Sequence, residues 1–466
     1  MPLQAVLAIV VSAAAWYFST GFGEVWPLAW IAPIPVLWFA LRAPSWRQAA
    51  FVAGIAYLAG SLNLLSYIMS LMPLPIVAIV FLAPALIFAI SALFARWAAR
   101  RWPPWIAAFA FPAAWTSYEY LMSITSPHGA GGSIAYSQTD FLTILQLASI
   151  TGIWGITFVL CLVPSAIAVA LSCRAPKALI PAAAAMLVAL SFGAIRLRQP
   201  PEGTTVRVGL AATDTGIGRA FRTKDQAIAV ATAHEYAARV ASLVTQGAQV
   251  VVLPEKFVGV TPSDSSEVMS AFSNPQAIVI AGFNRIGIDP PRNVADVFAP
   301  DGRLLLEYDK RHMLPGPETG YRVGKTPGLF NAPGGQWGVA ICKDMDFQAW
   351  SREYGKRGVR FLAVPAWDFN RDAKYHLRPA IVRAVENGFT MARVAQEGFL
   401  NFSDAYGRIL AQERSSELPA AMMLRDIHPG PGPTFYTRTG DWFGRINVVL
   451  LIVVLAMAPS KLATRS

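Results

Sequence analysis

Three polar residues each end an apolar run in the second half of the chain. Glu255 follows Val250-Val251-Val252-Leu253-Pro254, Lys310 follows Leu304-Leu305-Leu306-Glu307-Tyr308-Asp309, and Cys342 follows Gly338-Val339-Ala340-Ile341. Short runs of Val, Ile and Leu bounded by polar or turn residues read as buried strands. Each of the three groups therefore stands at a strand end, held rigidly by a sheet and open to the loops. Together they form a chemical set. A thiol becomes a nucleophile when a base takes its proton or a cation stabilises the thiolate. Glu255 is the candidate base. Lys310 is the candidate cation, able to stabilise both the thiolate and the oxyanion of a tetrahedral intermediate. A lone cysteine at a strand end is more often a core residue, so it is the set of three that points to catalysis.

The elements that must position these residues alternate between strand and helix. Strands are expected at 206–211, 249–253, 277–282, 293–298, 304–308, 338–341, 361–365 and 390–395, and helices at 225–246 and 378–388. Pro300-Asp301-Gly302 and the segment 404–407 are hairpin turn signals. Units of α/β type mixed with hairpins imply an α+β sandwich with mixed sheets.

The rest of the chain differs in kind. Only 14% of its 466 residues are charged and 54% are hydrophobic, against about 25% charged for an ordinary soluble domain. This excludes disorder and argues for lipid around part of the chain. The apolar residues crowd into 1–196 and 446–459. Eight segments are candidates to span a membrane: 3–20, 25–41, 49–70, 74–95, 104–122, 141–172, 178–196 and 446–459, the sixth with an interfacial portion before Gly152. Pro33, Pro35, Pro84, Pro112 and Pro164 suggest kinks within them. Alternate loops carry Arg42 and Arg47, Arg96, Arg100 and Arg101, Arg174 and Lys177, and finally Lys461 and Arg465. The intervening short loops carry Glu24, His128 and Asp140. The positive-inside rule then places both termini in the cytoplasm and the 197–445 domain outside, the pattern of a bacterial inner-membrane protein with a periplasmic domain. The division expected is a seven-span bundle at 1–196, a catalytic domain at 197–445, and a last helix with its tail at 446–466. Much of the net charge of +11 is spent on topology, and no nucleic-acid motif accompanies it. Glu119, an ionisable residue inside the fifth span, is either a functional group or a hydrogen-bonded structural one. Three cysteines are too few for a disulfide scaffold and lack zinc spacing.

Leu-Pro-Glu255, Tyr-Asp-Lys310-Arg-His and Ala-Ile-Cys342, in this order, resemble the Glu-Lys-Cys triad of the nitrilase superfamily. The wider chain is similar to one membrane-embedded branch of it, the apolipoprotein N-acyltransferases. The resemblance includes the span plan, Trp115 with Glu119-Tyr120, and the stretch Tyr136-Ser137-Gln138. It continues with Met-Leu-Pro after the lysine, Glu318, Ala366-Trp367, Tyr375-His376, and the stretch from Thr437 to Trp442 that enters the last span. It implies a bundle of about eight membrane helices joined to an αββα sandwich. In its terms Glu255 is the general base, Lys310 the stabiliser of thiolate and oxyanion, and Cys342 the nucleophile. Glu318 orients the lysine, Asp344 supports the site, and Trp367 and Glu119 contact substrate. The implied donor is a phospholipid in surrounding membrane lipid, the implied acceptor a diacylated apolipoprotein, and no metal or cofactor is called for.

The chain also departs from that family. Lys343-Asp344 replaces Tyr-Glu after the cysteine, so Lys343 either adds a cation beside the thiol or faces solvent. Pro127-His128 and Gln396-Glu397 replace other family segments. These departures suit a divergent paralogue with another acceptor. The competing readings are a membrane-tethered amidase, in which water takes the acyl group, and a non-catalytic lipoprotein-binding scaffold, against which the intact triad argues. A transporter is disfavoured, since neither paired intramembrane charges nor half-helix symmetry is present.

Overall fold

The structure is a computed structural model that describes residues 2–214, 221, 224–417 and 421–456. The chain forms two compact units, one of Met1–Leu197 with Thr439–Ser466 and the other of Arg198–Arg438.

The first unit is helical. Among the described residues four of its helical stretches are long and apolar enough to cross a membrane: Trp46–Leu71, Leu74–Ala99, Ile153–Cys173 and Pro176–Leu197. Shorter apolar helices cover Leu3–Ser19, Trp26–Arg42, Leu142–Thr151 and Trp442–Ala456. The sixth expected span is broken where anticipated: Gly152 has φ +64 and separates the short helix Ala148–Thr151 from Ile153–Cys173. The prolines divide into two kinds. Pro84 and Pro164 lie inside helices. Pro33, Pro35 and Pro112 sit in first turns, where the missing N–H has no partner to lose, so they start helices rather than kink them. The last helix starts at Trp442, and residues 457–459 of the expected span, with Lys461 and Arg465, lie outside the described residues.

Small residues and packed aromatic rings hold this unit together. Ala49, Ala53, Ala56, Ala92 and Ala95 are buried, and they let helix backbones approach closely. Phe88 packs its ring against Trp16, Tyr57, Phe111 and Trp115. The outward face is apolar as well: Leu74 is 71% exposed, Leu187 and Val188 67%, and Ile79 61%. Isolated exposed leucines are ordinary, but whole helix faces of them fit a lipid surround.

The second unit is a sandwich of two sheets. The first sheet contains β1 (Val206–Ala212), β2 (Val250–Val252), β3 (Val258–Val260), β4 (Ile278–Arg285), β5 (Arg292–Phe298), β6 (Leu304–Asp309) and β13 (Ala421–Ile427). The second contains β7 (Gly328–Ala332), β8 (Gly335–Val339), β9 (Phe361–Trp367), β10 (Thr390–Gln396), β11 (Phe399–Ser403) and β12 (Ile409–Arg414). The first runs in the order β13-β1-β2-β4-β5-β6, with β3 also on β4, and the second in the order β12-β11-β10-β9-β8-β7. Strands β1, β2, β3 and β4 are parallel, as are β8, β9 and β10, and the remaining strands pair antiparallel.

Strand alternation builds the layers. Val206, Val208, Leu210, Val250, Val252, Ile278 and Ile280 meet Trp337, Val339, Phe361, Ala363, Ala392 and Val394 between the sheets. Their neighbours Ala211, Val251, Leu253, Val279 and Ala281 face the other way, where Ala229, Ala233, Tyr236 and Val240 of helix Gln226–Thr245 cover them. Helices Gln348–Lys356 and Ala373–Asn387 belong to the half of the unit that carries the second sheet.

Local differences from expectation have physical causes. The run before Cys342 is strand only to Val339, and the cysteine opens a 3₁₀ turn, Cys342–Asp346. Helix Ala373–Asn387 starts one and a half turns before the expected 378 and carries Pro379 within it. Strands β3, β7 and β13 were not anticipated, and β11 and β12 only through the turn signal at 404–407 that joins them. β3 is three residues long, and β12 and β13 mix polar with apolar residues, so neither period stands out.

Candidate active site

Glu255, Lys310 and Cys342 come together at one end of the sandwich. Glu255 lies just beyond β2, and its N–H donates to the carbonyl of Ala366 in β9, which ties the two sheets at this point. Behind it, Gly282 of β4 passes so close that a Cβ there would lie 2.2 Å from the Pro254 carbonyl oxygen and 2.7 Å from the Glu255 Cα. Only glycine lets the strand approach the glutamate's backbone this closely.

Lys310 follows β6 and is 2% exposed. Its Nζ donates to Glu255 Oε1 at 2.8 Å and to Glu318 Oε2 at 2.9 Å. An ammonium has three N–H donors, so one remains for a ligand oxygen. Asn293 of β5 links the carboxylates, its Nδ2 lying 2.6 Å from Glu255 Oε1 and 2.7 Å from Glu318 Oε1. Glu318 also accepts from the Leu314 backbone N–H at 2.7 Å and from Lys256 Nζ at 2.6 Å.

Cys342 is partly accessible, has φ +42, and directs its Sγ to the Trp367 carbonyl oxygen at 3.6 Å. A left-handed conformation in a residue with a side chain is a strained feature that the surroundings must hold. Asp344 supplies much of that hold. One of its carboxylate oxygens accepts from the Ile341 N–H and the Tyr308 hydroxyl, at 3.0 and 2.7 Å. The other accepts from the His312 N–H at 2.8 Å and lies 3.0 Å from His312 Nδ1. Asp344 thus ties the turn carrying the cysteine to the segment carrying the lysine.

The electrostatics follow from this packing. Burial, the largest influence, pushes the Cys342 thiol well above its ordinary value. The Glu255 carboxylate pushes the same way, and Lys310 opposes it. Burial acts to lower the Lys310 ammonium, but the charges of Glu255, Glu318 and Cys342 outweigh it and hold the lysine well above its usual range. Burial would raise the Glu318 carboxyl, but Lys310 and Lys256 together hold it well below the usual carboxylate range. The thiol is therefore held protonated beside Glu255 and Lys310 and needs a base at the moment of attack.

The remaining expected residues fall in different places. Trp367 ends β9 beside the thiol, with its ring edge-on to Phe221 and its Nε1 donating to Glu397 Oε2 at 2.9 Å. Lys343 does not face solvent: it is 7% exposed, with its Nζ 3.5 Å from Asp346. Glu119 belongs to the helical unit and is 6% exposed. Both of its oxygens are occupied, by Trp115 Nε1, Ser133 Oγ, the Ile134 N–H and Thr157 Oγ1 at 2.6 to 3.2 Å. Its carboxylate thus joins the helix Ala110–Thr125 to the segment around Ser133 and to Thr157. Among the described residues no group of three or more His, Cys, Asp or Glu side chains could hold a metal ion. Asn293 and Lys256 were missed in the sequence. Asn293 is one polar residue in an apolar strand, and Lys256 directly follows the glutamate; both positions were signals.

A carbon-nitrogen hydrolase family matches residues 207–416, so the sandwich with Glu255, Lys310 and Cys342 at its strand ends is a nitrilase-like domain. The apolipoprotein N-acyltransferase N-terminal domain matches residues 12–166. An apolipoprotein N-acyltransferase of Geobacter metallireducens is 24% identical over 98% of this chain and 96% of its own length. An omega-amidase of Danio rerio is 31% identical over 26% of this chain and 52% of its own. An amidase from Nesterenkonia sp. of known crystal structure aligns with 53% of this chain and 97% of its own, at 18% identity and a TM-score of 0.43. The chain carries the N-terminal domain of the apolipoprotein N-acyltransferases and a carbon-nitrogen hydrolase domain, in that order, and is similar to one apolipoprotein N-acyltransferase almost end to end. This similarity and its apolar helices make it an inner-membrane protein.

Proposed function

We propose that this protein moves an acyl chain from a phospholipid to the α-amine of a diacylglyceryl-cysteine lipoprotein through a thioester on Cys342. The observation that best supports this is Lys310 held between Glu255 and Glu318 with one N–H to spare, beside a neutral thiol. Glu255 takes the thiol proton as Sγ bonds to the ester carbonyl carbon. The carbonyl electron pair moves to oxygen, where Lys310 meets it. The intermediate collapses, the lysophospholipid oxygen leaves with the proton from Glu255, and the acyl group stays on sulfur. The lipoprotein amine then attacks the thioester carbonyl, Glu255 takes its proton, and the thiolate leaves and is reprotonated. A thioester keeps the acyl group reactive enough for an amine, so the energy of the ester bond suffices without a metal or cofactor.

In this reading the catalytic domain spans 197–445 and faces the periplasm between the seventh and eighth spans, with both termini in the cytoplasm. The alternation of basic and non-basic loops supports that orientation. Trp367 lines the acyl path and Asp344 keeps the nucleophile's turn in register. Purified protein loaded with phospholipid and then chased with a synthetic diacylated lipopeptide tests the reading. Acyl transfer to the lipopeptide amine is expected. Acyl release only as free fatty acid would make the protein a membrane-tethered amidase-type hydrolase instead.

A further inference from the structure

We propose that Lys256 is a positioning residue for acyl transfer, holding Glu318 so that Lys310 keeps its third N–H free for the oxyanion. The inference rests on the acyl-transfer reading above for its reaction and on the geometry below for its residue.

Lys256 is 8% exposed and has φ +47, the left-handed region that side chains seldom occupy. It stands between Glu255 and Phe257, whose ring is buried against Tyr236 and Phe283. Glycine would fit this backbone without strain. A lysine there is instead committed to a particular set of contacts: Nζ lies 2.6 Å from Glu318 Oε1, 5.7 Å from the Tyr321 ring centre and 5.8 Å from that of Trp367. Glu318 is thereby fixed at both ends. One of its oxygens receives Lys256 and Asn293, and the other receives Lys310 and the Leu314 N–H. Without Lys256, Oε1 would keep only a neutral amide donor, and the carboxylate could turn to take a second N–H from Lys310, the one needed at the oxyanion.

Charge gives the same result. At rest the site holds two ammoniums, two carboxylates and a neutral thiol, a balanced set. On attack Glu255 becomes neutral and an oxyanion appears, so the balance is kept. With Lys256 removed, the same states carry one uncompensated negative charge in a buried site, where such a charge is costly. Glu318 would then hold a proton more readily, and Lys310 would lose its partner as the pH falls.

The test compares the full-length protein with Lys256→Met, Lys256→Gln and Lys256→Arg, each checked for cooperative unfolding. Two rates are read: phospholipid-driven acylation of Cys342 and alkylation of Cys342 by iodoacetamide. Lys256→Met and Lys256→Gln should slow acylation about tenfold or more at saturating donor, short of the 10²–10³ lost with a direct oxyanion donor. The donor concentration for half-maximal rate should hold steady, and the acid limb of the rate profile should move up by about one pH unit. The alkylation profile should also move to higher pH, because Lys310 is then drawn toward Glu318 and stabilises the thiolate less. Lys256→Arg should restore most of both rates. Wild-type profiles in a folded Lys256→Met protein, or a change confined to half-saturation, would overturn the inference. If the wild type forms no acyl adduct at all, the acyl-transfer reading fails, while the alkylation profile still decides the role of Lys256. A variant that does not fold leaves the decision to Lys256→Gln and Lys256→Arg, and an Arg variant no better than Gln counts against the inference.

Discussion

Two buried carboxylates, one in each unit, show how the same group serves opposite ends. Glu119 of the helical unit receives an indole N–H, two hydroxyls and a backbone N–H. Among the described residues no cation hydrogen-bonds to it. Glu318 of the sheet unit receives two lysines, an amide and a backbone N–H. The first is closed: its donors are neutral, it joins the helix Ala110–Thr125 to the segment around Ser133 and to Thr157, and nothing in its shell could pass charge to a ligand. The second is open, because one of its cations also holds Glu255 and has an N–H left over. Burial makes a carboxylate costly in either place. Only where the compensation is itself mobile charge does that cost yield a reactive site.

The comparison can be broken from the reactive side first. Glu255→Gln keeps the hydrogen bonds from Asn293 and Lys310 but cannot take a proton. Single-turnover acylation should fall about 10²–10⁴-fold with little change in unfolding temperature, the range expected for a lost general base; a rate close to wild type would remove Glu255 from that role. Gly282→Ala touches no reacting group, yet its Cβ would press on the Pro254 carbonyl and the Glu255 Cα. Displacing the base by a fraction of an ångström should cost roughly 10²-fold in the same assay.

The pH dependence of stability separates the two carboxylates further. The Glu318 carboxyl is depressed, so its contribution is present above the unfolded value of about 4.3 and is lost as pH falls below it. The Lys310 ammonium is raised, so its contribution is complete below about 10.4 and is lost only as pH rises through its folded value. These two groups therefore add no slope to the unfolding temperature between about pH 5 and 10 and a fall below pH 4, and Glu318→Gln should flatten that acid fall. An unchanged acid fall in that variant would place the sensitive carboxylates elsewhere. The smallest effect on rate belongs to Glu119→Gln. It turns an amide N–H toward donors that need acceptors, at a cost of about 1–3 kcal/mol in stability, and should lower unfolding temperature far more than it lowers acylation. The reverse outcome would return Glu119 to substrate binding.

How much of this was legible depended on range. Runs such as Val250-Val251-Val252 and Leu304-Leu305-Leu306 announced strands, and the Pro300-Asp301-Gly302 turn announced its hairpin, because both signals are local. That Glu255, Lys310 and Cys342 end their runs was visible too. The role of Asn293 was not, nor were the partners of Asp344. Asn293 reaches both glutamates only because β5 lies between β4 and β6 in a fixed register, with Asn284 and Asn293 paired. Asp344 was expected to support the site, and the carboxylate meets Tyr308 and His312, partners that spacing does not name. Lys343 could be read as a cation for the thiol or for water, and it lies instead 3.5 Å from Asp346, three residues on in the same turn. Side-chain direction at a strained turn is set by the partners that topology supplies, and sequence spacing does not carry it.

The central claim is that Cys342 carries the acyl group. The most direct measurement is the intact and peptide mass of purified protein after a short incubation with phospholipid, wild type beside Cys342→Ala. The account predicts a gain of one acyl chain on the peptide containing Cys342, cleaved by hydroxylamine and absent from the variant. An equal gain on Cys342→Ala, or none on a folded wild type, would contradict it.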